Sequence, residues 1–293
     1  LMSKCCVRMH GSTQSVKSQY NSPMNFNDAL LVGLAAFVAG GVNAIAGGGT
    51  FFSFPALLSA GVPPVLANAS NTVALCPASL ASAWAYRKES MRHGRMAWLL
   101  ALASMIGAVI GAVILLNTTD AAFTVLIPWL LSGATLLFAF SKPISRLIAH
   151  LRVQALTLGK RQSIQDQSDE IAGPSPIGGT FFQFMVGVYG GFFGAGMGIL
   201  TLAALAMIGY EDIQELNALK NLTSGVNYLI AASTFIIAGA ISWPHTMVML
   251  AAGIVGGYVG GRLARKLPAV WLRRVVIATG SILSLVFFIK VYF

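Results

Sequence analysis

Gly187-Val-Tyr-Gly-Gly-Phe-Phe-Gly-Ala-Gly-Met-Gly198, followed by Asn217-Ala-Leu-Lys-Asn221, is the stretch whose reading decides the fold. Glycine packed this densely interrupts an apolar helix, because each one adds conformational freedom that a helix has to remove. Lys220 lies inside a long apolar span, Leu216–Ile241, that holds no other charge. At helical spacing Asn217, Lys220, Asn221, Ser224 and Asn227 share one face, whereas Leu216, Leu219, Leu222, Leu229 and Ile230 lie largely elsewhere. An ammonium in mid-span costs about 2.5–3.5 kcal/mol on insertion scales, so it is expected to face a cavity or a partner and not lipid. No acid is placed to be that partner. The expected counter-ion is an anion that arrives from solution.

Working outward, the composition is that of a membrane protein. Of the 293 residues, 56% are hydrophobic and only 10% charged, with a mean hydropathy of +0.74. A run of about 20 apolar residues crosses a bilayer, and the chain holds at least six such candidates. The net charge of +10, from 19 Lys and Arg against 9 Asp and Glu, sits in loops between the spans. Basic loops of this kind set topology and meet anionic headgroups, which removes nucleic acid as a partner. Cys5, Cys6 and Cys76 give neither a disulfide framework nor, with four scattered histidines, metal-ligand spacing. The polar segment 1–26 is read as a disordered tail.

The first apolar run covers Ala29 to Ala46, breaks at Gly47-Gly48-Gly49 and resumes from Phe51 to Ala60; Val65–Tyr86, Met96–Leu116 and Ala121–Phe140 follow as three spans. A polar stretch, Ser141 to Pro176, reads as a linker. The second half repeats the plan: Phe181–Gly209, broken at Gly194, Gly196 and Gly198, then Leu216–Ile241, Met247–Leu263 and Val270–Phe293. Sliding the halves by 150 residues pairs Asn71 with Asn221, Gly107 with Gly257 and Gly111 with Gly261. Such internal duplication builds many transporter folds. Counterpart loops carry opposite charge character. Arg87 to Arg95 is basic where its counterpart Ile241–Thr246 has no Lys or Arg, and Asn117–Asp120 has no cation where Arg262–Arg274 is strongly basic. Under the positive-inside rule the repeats are therefore inverted, which requires each glycine-broken run to dip in and return. Eight spans in parallel repeats are the alternative, and they place the Arg262–Arg274 loop outside.

The expected fold is all-α integral membrane, with two inverted repeats, each a glycine-broken re-entrant helix pair followed by about three transmembrane helices. Its units are the tail 1–26, repeat 1 at 27–141, a linker at 142–176 and repeat 2 at 177–293. At the two breaks, Gly47, Gly48 and Gly49 and then Gly194, Gly196 and Gly198, an unwound chain would aim the free N–H groups of the resuming helix at an anion. Asn43 stands just before the first break. Asn68, Asn71, Thr72, Cys76, Ser79 and Ser82 form a second polar stripe opposite that of Asn217–Asn227, with Asn71, Lys220 and Asn221 as its strongest substrate contacts and Asn217, Asn68 and Thr72 beside them. Gly107 with Gly111, and Gly253, Gly257 and Gly261, are spaced for close helix packing. Asp212-Ile-Gln-Glu215 reads as a capping box, and Trp84, Trp98, Trp243 and Trp271 as interfacial anchors. All nine acids lie in loops or at span ends and no His lies in a span, so neither a carboxylate relay nor hydrolytic chemistry is supported.

Gly47-Gly-Gly-Thr-Phe-Phe-Ser-Phe-Pro55, the run Ala67 to Arg87, Asn217-Ala-Leu-Lys-Asn221 and Gly256-Gly-Tyr-Val-Gly-Gly-Arg-Leu-Ala-Arg265 together resemble the TauE/SafE family of membrane transporters, also described as sulfite exporters. The resemblance covers about Asn27 to Tyr292. It implies a multi-pass permease of the bacterial cytoplasmic (inner) membrane that exports a small anion such as sulfite, a sulfonate or a related organosulfur acid. The expected partners are that anionic substrate, membrane lipid and a second copy in a homodimer, with no nucleic acid, cofactor or metal. Alternating access would come from rocking of one repeat against the other. A passive anion channel and a non-transporting membrane scaffold are the other readings of the same residues.

Overall fold

Apolar runs bounded by proline, αL glycine or a capping carboxylate give helices wherever the chain is described. The computed structural model describes residues 24–46, 48–92, 94–137, 139–140, 176–210, 212–263 and 269–293. The expected tail and linker lie outside the described residues except at their edges. The elements are α1 Phe26–Ala46, α2 Thr50–Ser59, α3 Pro64–Ala85, α4 Arg87–Met91, α5 Gly94–Leu116 and α6 Asp120–Leu137. The second half supplies α7 Pro176–Phe192, α8 Met197–Ile208, α9 Ile213–Ala238, α10 Trp243–Leu263 and α11 Ala269–Tyr292.

Local chemistry explains the boundaries. Proline occupies the first position of α3, where its missing N–H is no loss. The next donor, Val65 N–H, is capped at 3.0 Å by Asp120 Oδ1 from the α5–α6 turn. Asp212 caps α9 by accepting from the N–H groups of Gln214 and Glu215 at 2.8 and 3.0 Å, which is the N-cap half of the expected capping box. Gly209 and Gly239 end α8 and α9 in the left-handed region, at φ 111° and 68°. The basic stretch read as a plain loop folds instead as the short helix α4. Its Ser90 hydroxyl lies 3.0 Å from the carbonyl oxygens of both Tyr86 and Ala218.

Five helices, α1, α5, α6, α9 and α11, are long and apolar enough to cross a membrane. They carry broad exposed apolar faces, including Leu34, Ile106, Val125, Ile237 and Leu285. The chain is thus a multi-pass helical membrane protein. α3 is as long, but it is buried continuously from Leu66 to Cys76, so its asparagines, serine and threonine are enclosed by protein and spared lipid.

The most extensive packing joins α1 to α10 and α5 to α7. Both seams are made by glycine. A methyl group on Gly256 would overlap the Phe37 carbonyl, one on Gly40 the Gly253 carbonyl, and one on Gly111 the Val188 carbonyl. Each seam is parallel: Gly33 faces Val248 and Gly40 faces Gly253 and Gly257, while Gly107 faces Phe184 and Val188 and Gly111 faces Val188 and Phe192. Between the seams α9 crosses α3 antiparallel, with Gly225 against Ser79 and Ala83 and Tyr228 near Cys76. Phe54, Phe123 and Phe193 meet edge to face at 5.7–6.3 Å, joining α2 and α6 to the α7–α8 break.

Candidate functional site

The α7–α8 break is built by two left-handed glycines, Gly194 at φ 79° and Gly196 at φ 76°. A residue with a Cβ would be strained at both. Gly196 is the N-cap of α8 and carries no side chain to satisfy the first N–H groups. Met197 N–H reaches the Gly194 carbonyl at 3.3 Å and Ile199 N–H the Gly196 carbonyl at 3.0 Å. Gly198 N–H, between them, has no acceptor among the described residues. The turn is braced from outside. Tyr189 donates its hydroxyl to the Ala195 carbonyl at 2.6 Å, and Asn227 of α9 donates Nδ2 to the Gly187 carbonyl at 2.9 Å.

Lys220 stands against this break. A methyl group on Gly198 would lie 3.6 Å from Lys220 Cδ, so the lysine stem crosses the first turn of α8. Among the described residues its ammonium has one polar partner, Asn217 Oδ1 at 3.4 Å, a long contact. No carboxylate among the described residues pairs with it. A helix N-terminus carries partial positive charge, and a cation set beside one is doubly short of negative charge. Asn221, one position on, has no hydrogen-bond partner among the described residues.

The first break is built differently. Gly49 is the N-cap of α2 with ordinary right-handed φ −57°. Its missing side chain is needed for space, since a methyl group there would crowd the Ala39 carbonyl at 2.5 Å and Asn43 Cβ at 3.0 Å. Gly48 is buried beside it, and Gly47 lies outside the described residues. Asn71 is buried and committed: Oδ1 accepts the Ser53 hydroxyl, Nδ2 reaches Thr50 Oγ1 at 3.5 Å, and Tyr228 of α9 also hydrogen-bonds Thr50. Asn68 donates Nδ2 at 2.8 Å to the Phe192 carbonyl that the second break leaves free. Thr72 bonds back to the Asn68 carbonyl at 2.9 Å.

The structure therefore brings Lys220, Asn217 and Gly198 together, with Asn221 beside them on α9. It places Asn71 in a separate knot with Ser53 and Thr50, and Asn68 at the end of α7. No hydrogen bond among the described residues links the Lys220 group to the Asn71 group. The sequence reading passed over Thr201, one turn along α8 from Gly198, which is 1% exposed and has a hydroxyl with no hydrogen-bond partner among the described residues. A threonine in a run of Leu, Ala and Ile gave no signal of its own. An open groove of about 800 Å³ between α5 and α7, walled by Leu99, Leu102, Ile106, Phe181 and Phe184, holds none of these residues.

The comparisons with known proteins agree with this architecture. Residues 32–287 match the model of the family described as Sulfite exporter TauE/SafE. A protein named probable membrane transporter protein from Haemophilus influenzae (strain ATCC 51907 / DSM 11121 / KW20 / Rd) is 25% identical over 242 residues, covering 82% of this chain and 87% of the relative. The probable membrane transporter protein ORF9 of Sinorhizobium sp is 27% identical over 236 residues, covering 79% and 81%. The probable membrane transporter protein YfcA of Escherichia coli (strain K12) is 26% identical over 262 residues, covering 87% and 88%. No solved structure matches the chain. With the family model spanning nearly all of its helices, this chain belongs to the TauE/SafE family, a family of membrane transporters and not of enzymes.

Proposed function

We propose that the protein is a secondary transporter that exports a small anion, sulfite, a sulfonate or a related organosulfur acid, across the bacterial cytoplasmic membrane by alternating access. The observation that carries this reading is Lys220, an ammonium laid against the first turn of α8 with no carboxylate partner among the described residues and only Asn217 at 3.4 Å. Two sources of positive potential converge on a place where the protein supplies no negative charge, and a solute anion balances both. Asn221 and Gly198 N–H add directional donors beside the charge.

The inverted arrangement of the repeats belongs to the same proposal and rests on helix direction. α10 runs parallel to α1, α9 opposite to α10 through the short turn 239–242, and α3 opposite to α9. α5 then runs opposite to α3, and α7 parallel to α5. α1 and α7, the first helices of the two halves, accordingly point in opposite directions. In this arrangement the basic α4 region and the C-terminal end of α10 share one side, and the positive-inside rule makes it the cytoplasmic one.

Counterflow in proteoliposomes tests the transport reading. Liposomes preloaded with unlabelled sulfite are expected to accumulate labelled sulfite transiently above equilibrium; simple equilibration would leave a channel. For topology, single cysteines at Lys88 and Asp212 in a cysteine-free background are expected to label from one side, and those at Asn117 and Ala240 from the other. Labelling of Lys88 and Ala240 from the same side would mean parallel repeats.

A further inference from the structure

The groove between α5 and α7 takes no part in the group around Lys220, and its form follows from the seam beneath it. Gly107 and Gly111 bring α5 against the main chain of α7, and Gln183 donates to the Ser104 hydroxyl at 2.8 Å across the same contact. Nearer their N-termini the two helices leave an open channel of about 800 Å³. Its less exposed lining, Ala103 and Thr180, is small, whereas its rims, Leu99, Leu102, Ile106 and Phe181, are large and apolar. These rims are exposed and lie along α5, a helix long and apolar enough to cross the membrane. From Arg95 to Ile106 the wall rises about 17 Å at helical pitch, close to half of the roughly 30 Å hydrocarbon core. The groove thus has the length of one leaflet.

Its mouth is electropositive. Arg95, the second residue of α5, is exposed and lines the groove, and no acidic residue does. No carboxylate among the described residues pairs with it. Neither α5 nor α7 carries an acid in its first turn, so two parallel helices begin at this end with their positive dipole ends uncompensated. Trp98, 77% exposed and one turn from Arg95, sets this end at the level of the headgroups. An arginine there can lay its stem along an apolar wall and hold its guanidinium in the headgroup layer, where the planar fork matches a phosphate. A second copy of the chain fits less well, because a symmetric contact would set groove against groove and Arg95 at the same depth as its counterpart.

We propose that this groove binds an anionic phospholipid from the leaflet on the α4 side, with one acyl chain lying between α5 and α7 and the headgroup held by Arg95. The apolar length selects a chain, and the unpaired guanidinium with its two helix ends selects net negative charge. The site is independent of the anion site at Lys220, and sulfite flux is not needed to observe it.

Native mass spectrometry of the full-length protein released from detergent tests this, with phosphatidylglycerol and phosphatidylcholine of identical acyl chains titrated in turn. The wild type is expected to retain phosphatidylglycerol at least about fivefold more tightly than phosphatidylcholine, the weight of one cation at a headgroup. Arg95→Gln is expected to lose that preference. Lys88→Gln, which removes an exposed cation that does not line the groove, is expected to keep it. Leu102→Trp fills the channel and is expected to retain neither lipid; if it cannot be recovered, the exposed Arg95 position still decides. Equal retention of the two lipids by the wild type overturns the proposal. So does an equal loss of preference in Arg95→Gln and Lys88→Gln, which would mean diffuse surface charge in place of a site. A lipid-free dimer that Leu102→Trp converts to monomer would give the groove to a second copy and overturn it as well.

Discussion

Lys220→Ala is expected to remove anion flux while leaving a protein that is folded and at least as stable as the wild type in anion-free buffer. The two halves of that expectation have the same cause. A hydrogen bond to a charged group is worth roughly 1.5–3 kcal/mol, so deleting the ammonium should weaken anion binding by at least about tenfold at 1.4 kcal/mol per decade. The loss of field at the α8 N-terminus adds to this. The same ammonium is desolvated with, among the described residues, only Asn217 Oδ1 at 3.4 Å for company, and an under-paired charge costs the fold more than an alanine in its place. Thermal melting with and without sulfite reads both effects. The anion should raise the wild-type melting temperature and leave that of the variant where it was. Undiminished flux in the variant would take Lys220 out of the pathway, and a large drop in anion-free stability would make it a structural residue.

Gly256→Val and Gly111→Val are expected to prevent recovery of folded protein. At each position the new side chain would start inside a carbonyl of the facing helix, that of Phe37 for Gly256 and that of Val188 for Gly111. Overpacking that a side chain can relieve costs typically 1–3 kcal/mol, but here the obstacle is main chain, so the cost should exceed about 3 kcal/mol. Gly133→Ala is the matched control. Nothing lies within 4 Å of its added methyl, and replacing glycine by alanine inside a helix is worth about 1 kcal/mol. Detergent-solubilised variants followed by size-exclusion melting should rank Gly133→Ala at or above wild type, with the two valine variants absent or aggregated. A monodisperse Gly256→Val protein with wild-type melting would mean that α1 and α10 do not approach as described.

Much of this was legible in the sequence, and the reasons differ by residue. Helix existence and the two breaks were readable because apolar runs, Gly47–Gly49 and Gly194–Gly198 are local signals. The link between Lys220 and the second break was readable because a solitary charge in a greasy span has few places to go. The purpose of the glycines was only partly readable: Gly194 and Gly196 supply positive φ, whereas Gly49 supplies room against Ala39, and composition alone does not separate the two. Small-residue spacing marked Gly253 and Gly257 but passed over Gly256, the tightest of these three contacts, because the partner helix chooses among neighbouring small residues. Asn68 and Asn71 looked like members of one stripe. Tertiary contacts split them, sending one to the Phe192 carbonyl and the other to Ser53. Thr201 was invisible for the opposite reason, since what distinguishes it is a bond it does not make.

The glycine seams also limit how such a molecule could move. Helices whose main chains touch cannot slide past one another, so α1 travels with α10, and α5 with α7. Each of these couples draws one helix from either half of the sequence. Rigid units built this way are interwoven, like fingers of two clasped hands, and a rocking motion would separate one couple from the other. The hinge would then fall on α3 and α9, the crossed pair between them, the same two helices that carry Asn71 and Lys220.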